Sequence, residues 1–301
     1  MRFNPKPSAL SLFFNPIIMV LCGAFLISFS AVWVKVAGVP ATTSAFYRVF
    51  FGFLFLLPAT LAIGELRKYP KAHIRPITLC GIAFAFDLVF WHASINYIGP
   101  GLATIIGNFQ VFLMAACGVV FYGEKLKKRF LLALPLAITG LFMVIGFNFA
   151  DLSANYRLGV FFGLMTAICY TVYLILLRNI QSTPNTHFRF APLMFISLIS
   201  SLSLAPAMLA TDTSFAIPSV SSGLALLCLG LFSQCIGWVM IASAMPRINA
   251  SLTGLILLLQ PSLSFLWDVL IFGRPTSSLQ WLGVTVTLAA IYMGFTGSRR
   301  K

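Results

Sequence analysis

The stretch Leu102–Gly123 reads LATIIGNFQVFLMAACGVVFYG, and Leu252–Gly273 reads LTGLILLLQPSLSFLWDVLIFG. At this constant offset Leu102 meets Leu252, Ile106 meets Ile256, Gln110 meets Gln260 and Leu113 meets Leu263. Val119 then meets Val269 and Gly123 meets Gly273, and beyond the stretch Leu132 meets Leu282 and Met143 meets Met293. Leucine coincidences are cheap in so apolar a chain. The Gln and Gly pairs carry the weight, because each marks the same place in its copy: Gln in mid-segment, Gly closing the segment before a polar turn. One apolar segment of about 20 residues, long enough at roughly 1.5 Å per residue to cross a hydrocarbon core of roughly 30 Å, therefore occurs twice.

Working outward, apolar runs bounded by charge, Pro or polar turns give ten spans, near 16–37, 42–63, 77–97, 100–122, 130–148, 158–177, 190–210, 222–244, 249–272 and 278–297. The expected fold is an all-α integral membrane protein of ten transmembrane helices. It divides into a tail (1–15), a first five-helix repeat (16–148), a second (158–297) and a short basic tail (298–301). Five spans per repeat is an odd number, so the second repeat enters the membrane upside down. Inverted repeats of this kind place a substrate site near the midplane between the halves.

Orientation follows from charge. With the N-terminus inside, Arg2, Lys6, Arg67, Lys68, Lys71, Arg75, Lys125, Lys127, Lys128, Arg129, Arg178, Arg189, Arg247, Arg299, Arg300 and Lys301 all fall on the inner side. Only Lys35, Arg48, Arg157 and Arg274 fall outside or at the outer interface. Basic loops resist translocation, so both termini are expected in the cytoplasm of a multi-pass protein, with a bacterial inner membrane as the setting.

Composition excludes other classes. Charged residues make up 9% of the chain against about 25% for a soluble domain. The formal net charge of +14 sits in short loops beside spans, which points to anionic lipid headgroups and away from nucleic acid. All six cysteines lie within spans, with no CxxC pair and no His cluster, so neither a metal site nor a cofactor is expected. No GxxxxGK[ST] loop is present to drive transport by ATP. HExxH, GxSxG and paired carboxylates are also missing, so an enzyme is not expected.

Polar side chains inside spans need partners or a watery cavity. Asp87 lies near the middle of the third span, with Trp91 one turn on and His92 beside it. Asp87 is read as a substrate-amine anchor or protonatable coupling group, and His92 as a proton relay or substrate contact. Gln110 and Gln260 offer matched amides, against the plain alternative of helix–helix hydrogen bonding. Asn108 lies roughly 200° from Gln110 around the helix, so both are not expected to face one cavity. Tyr170, Tyr173, Gln234 and Trp238 supply aromatic walls with polar handles for an organic solute. Lys35, Arg48 and Asp268 lie toward the outer span ends and are read as gating or coupling groups, with Lys35 or Arg48 as the expected partner of Asp268. Snorkelling is the alternative for the two cations.

The segments Phe46-Tyr47-Arg48 running to Pro58, Gly123-Glu124-Lys125-Leu126, Leu134 to Gly146 with Gly140 midway, and Gln260-Pro261 resemble the EamA-type drug/metabolite transporter superfamily. The resemblance covers nearly the whole chain. Val111 stands where the corresponding Pro is expected in the first half, and Gly273-Arg274-Pro275 lacks the acidic residue often found after that Gly. The resemblance implies ten helices in two five-helix repeats and a small organic solute, often exported. The leading expectation is thus a secondary exporter of small metabolites such as amino acids, working by alternating access. The alternatives are a nucleotide-sugar or sugar-phosphate carrier, or a sensor or assembly subunit without transport. The expected partners are a small-molecule substrate and the bilayer, and the sequence leaves a homodimer open.

Overall fold

The computed structural model describes residues 15–69, 71–145, 154–182 and 189–298; nearly all of the 1–15 tail and of the basic tail at 298–301 lies outside these. The described residues are helical, with no strand among them. Pieces that continue across a local interruption form α1 (Pro16–Ala37), α2 (Ala41–Ala62), α3 (Ile74–Ile98), α4 (Leu102–Tyr122) and α5 (Lys128–Ile145). They are followed by α6 (Asn155–Gln181), α7 (Ala191–Ala210), α8 (Val220–Arg247), α9 (Ala250–Phe272) and α10 (Ser278–Ser298). Eight of these, all but α5 and α10, are long and apolar enough to cross a membrane. The apolar part of α10 is shorter, Ser278–Gly294, and α10 packs along α5.

Helical hydrogen bonding runs on from Ile74 to Gly107, across the boundary expected between the third and fourth spans. The chain nevertheless doubles back there. Thr166 of α6 lies against the Asp87 carbonyl of α3, and a Cβ on Gly107 would meet the same Thr166 at 3.0 Å. Residues 87 and 107 thus sit at one level of α6, and α3 and α4 run antiparallel.

The packing of the two halves is matched. α3 lies on α6 as α1 lies on α8; α3 meets α7 as α2 meets α8; α4 meets α6 as α1 meets α9. Three further pairs, α2 with α7, α4 with α9 and α5 with α10, join corresponding helices. Local geometry repeats as well. α4 is interrupted at Asn108–Phe109 and α9 at Leu258, each just before its Gln. α4 ends on Gly123 at φ 62° and α9 on Gly273 at φ 63°, a left-handed turn that glycine adopts without a steric cost. In both, the glycine N–H and the next N–H donate back to the last turn, to Val119 and Gly118 in α4 and to Val269 and Asp268 in α9.

Two interruptions have no counterpart in the sequence pattern. α1 breaks at Phe29, and its Ser28 carbonyl accepts a hydrogen bond of 2.8 Å from Ser264 Oγ of α9. Trp267 Nε1 donates to Ser28 Oγ at 2.8 Å. α8 contains a π-helical stretch, Leu229–Gly237, whose extra residue per turn shifts the side chains that follow. Such stretches recur at functional sites.

Candidate functional site

α1, α2, α3, α4, α6, α8 and α9 surround a cavity of about 830 Å³. Lys35, Asp268 and Arg274 line one end. Lys35 Nζ lies 2.9 Å from Asp268 Oδ1 and Arg274 Nη1 lies 3.4 Å from Asp268 Oδ2, and all three side chains are partly exposed. Farther in, the walls are Trp91, Tyr170, Phe84 and Trp238. This is an organic-solute pocket in kind: mostly apolar and aromatic, with a few polar groups converging on it.

Two of those groups carry charge. Asp87 on α3 is buried, with 8% of its surface exposed, and faces the cavity. Arg48 stands seven residues into α2, about two turns from its N-terminal end, and lines the same cavity. The sequence placed it near the interface; in the structure it does not snorkel. Its Nε donates to Gln234 Oε1 at 3.2 Å, and its guanidinium lies 5.9 Å from the centre of the Phe84 ring. Asp87 and Arg48 line the same cavity, yet neither forms an ion pair within 4 Å among the described residues. Burial of a charge without a partner is costly, so two opposite charges facing one space define a strongly polarised site.

Other polar atoms point the same way. His92 Nδ1, Trp238 Nε1 and Gln260 Nε2 are buried, belong to cavity-lining residues and have no hydrogen-bond partner among the described residues. Gln260 and Tyr170 both line the cavity. Hydroxyls and an amide not singled out from the sequence also line it: Ser30, Ser44, Thr104, Asn108, Thr166 and Ser264. Short polar residues inside spans were the available signal, but helices carry many that merely bond their own backbone.

Three expected site residues lie elsewhere. Gln110 is fully buried between α4 and α9 and donates to the Gly254 carbonyl at 3.2 Å, so Asn108 and not Gln110 lines the cavity. Tyr173 sits one layer behind the wall, stacked on Phe84 at 4.5 Å and edge-on to Trp238 at 5.0 Å. Gln234 is also fully buried and touches the cavity only through Arg48.

At the opposite end the helices are tied together. Glu124, just after α4, accepts from the N–H groups of Ala250 and Ser251 and from Ser251 Oγ at the start of α9. A carboxylate there satisfies the orphan donors of the helix and complements its dipole. Gly118 leaves the necessary room, because a Cβ on it would lie 2.5 Å from Glu124 Oε2. Arg178 of α6 donates to the Met245 carbonyl of α8 and lies 4.8 Å over the Tyr122 ring, while Tyr122 donates to Asn179 at 2.6 Å. The cavity thus meets partly exposed ionic side chains at its Lys35–Asp268 end, while at the Glu124 end the helices are tied together around a separate pocket of about 480 Å³.

A model of the EamA-like transporter family matches residues 15–146 and again 157–296. An uncharacterized transporter of Archaeoglobus fulgidus is 24% identical over 280 residues, covering 92% of this chain and 94% of its own. An uncharacterized transporter of Bacillus subtilis is 22% identical over 267 residues, covering 87% and 83%. A solved crystal structure at 18% identity superposes with a TM-score of 0.80 over 95% of this chain and 99% of its own, which shows a shared fold. With its apolar helices, these relatives make the protein a multi-pass membrane protein, and with both halves matched the chain belongs to the EamA-like transporter family.

Proposed function

We propose that the protein is a secondary transporter of small zwitterionic metabolites, amino acids in kind, that works by alternating access between two inverted five-helix repeats. The observation that carries this reading is the pair of opposite charges, Arg48 and Asp87, facing one aromatic-walled cavity without pairing to each other. A solute with a carboxylate and an ammonium group satisfies both; a simple anion or cation satisfies one and leaves the other buried and unpaired. A phosphate-bearing solute calls for several inward cations, and Arg48 is accompanied by a carboxylate.

Ten crossings fit the matched packing of α1–α5 with α6–α10, and an odd number per repeat inverts the second. The basic loops favour cytoplasmic termini, and in that orientation the tied Glu124 end is the inner one and the cavity opens outward. That is the state in which an exporter of a bacterial inner membrane releases its load. Lys35 and Asp268 serve as outer gating groups, and Asp87 as amine anchor and coupling group.

The test is flux in liposomes containing the purified protein, with a panel of amino acids, organic acids, amines and nucleotide sugars, with and without an imposed pH gradient. Saturable flux of a zwitterion that falls at least about tenfold in Asp87→Asn supports the reading. Flux confined to nucleotide sugars, or specific binding of a ligand with no flux, overturns it.

A further inference from the structure

The side chain behind Arg48 carries information that the cavity alone does not. An arginine can donate five hydrogen bonds in a planar fork. Here one is spent, from Nε to Gln234 Oε1 at 3.2 Å, on the side turned away from the cavity. Gln234 is itself held, its Nε2 donating to Ser197 Oγ on α7 at 3.1 Å. It is fully buried, sits in the π-helical stretch of α8, and packs on α2 where Gly52 lacks a side chain: a Cβ there would lie 2.3 Å from Gln234 Cγ. Four features on three helices thus fix the guanidinium by its Nε edge. The two terminal nitrogens have no partner among the described residues and belong to a cavity-lining side chain. Two parallel N–H groups on one edge are the arrangement that grips a carboxylate bidentately.

We infer that Arg48 is the carboxylate-binding residue of the cavity and that Gln234, braced by Ser197 and admitted by Gly52, is the positioning residue that aims it. This rests on the zwitterion reading above and deepens it, assigning recognition of the solute's acid end to α2 and α8. Lysine is not an equivalent at position 48. It has no Nε–H edge for Gln234 to hold and presents a point charge in place of a fork. Gln234 contacts no solute, so its effect is on selectivity between solutes and not on contact area.

The experiment uses the full chain reconstituted in lipid nanodiscs and titrated calorimetrically with three matched probes: phenylalanine, its decarboxylated amine phenethylamine, and its deaminated acid 3-phenylpropionate. The wild type is expected to bind phenylalanine at least about tenfold tighter than phenethylamine, the worth of one charge-assisted hydrogen-bonded contact. Arg48→Gln brings that ratio close to one and abolishes 3-phenylpropionate binding. Gln234→Leu lowers the ratio at least about threefold and leaves phenethylamine affinity unchanged, which general loosening of the cavity would not do. Ser197→Ala and Gly52→Ala shift the ratio the same way to a smaller extent, and serve if Gln234→Leu does not fold. A wild type that prefers phenylalanine, with the ratio intact in Arg48→Gln or in Gln234→Leu, overturns this inference alone. A wild type that binds none of the three, or binds the amine as well as the amino acid, brings down the zwitterion reading and the inference with it.

Discussion

The two ends of the repeated segment, Gly123-Glu124 and Gly273-Arg274, have one backbone and opposite chemistry. Both glycines turn the chain at the same φ, and both following N–H groups fold back on the last helical turn. At the first, the side chain is a carboxylate folded onto the start of α9, where three donors hold it. At the second, it is a guanidinium that reaches Asp268 at 3.4 Å and lies 5.5 Å over the Phe265 ring, beside a partly exposed Lys35. A helix N-terminus attracts an anion and repels a cation, so Arg274 cannot seal its end as Glu124 seals the other. The lesson is that a near-symmetric scaffold can be given two different ends by one residue after each turn: here, a carboxylate tied to the start of α9 at one and a partly exposed ion pair at the other.

The largest effect should come from Glu124→Ala, which leaves the Ala250 and Ser251 amides without their acceptor. Its expected size is about 2–3 kcal/mol against the tied arrangement at the Glu124 end, roughly a 30- to 150-fold change in population. A single cysteine at Ser264, in a chain with its six native cysteines replaced, reads this out as new labelling by an impermeant maleimide from the inner side. Unchanged labelling would break the comparison. Next comes Arg178→Lys, which loses the planar group lying over Tyr122; about 1–2 kcal/mol in the same direction is expected from the same labelling. Smallest is Lys35→Met at the other end. An exposed pair contributes less than about 1 kcal/mol, so thermal stability should hold while any salt dependence of outer access disappears. If Lys35→Met outweighed Glu124→Ala, the outer mouth and not the inner seal would set the resting state.

Much of the frame could be read from the chain. The Gln110/Gln260 and Gly123/Gly273 pairs located corresponding helices, and each Gln does follow a helix interruption at the same register. What pattern could not reveal is how equivalent residues diverge once one end of the protein is open: Gln260 lines the cavity while Gln110 is clamped to Gly254. Arg48 shows the same limit. Two turns inside a span, a long cation can snorkel or turn inward, and the choice depends on Gln234, far away in sequence. The break at Phe29 had no Pro or Gly to announce it, because its freed carbonyl is satisfied by Ser264 of another helix. The π-helical stretch of α8 is equally silent in hydropathy, since its residues are as apolar as their neighbours.

The seal at Glu124 also has an electrical consequence. In the orientation proposed above, the cavity shares the outside's potential, and most of the membrane voltage falls across the tied region at Glu124. When the seal changes ends, whatever sits at Arg48 and Asp87 passes from one potential to the other. Each unbalanced charge would gain or lose about 2.3 kcal/mol per 100 mV in that exchange. Arg48 and Asp87 cancel, and a zwitterion adds nothing to the sum. The empty and zwitterion-loaded carrier would both then cycle without electrical work, leaving the solute's own gradient to set the direction. A proton carried on Asp87 would instead leave Arg48 unbalanced and make the cycle voltage-sensitive.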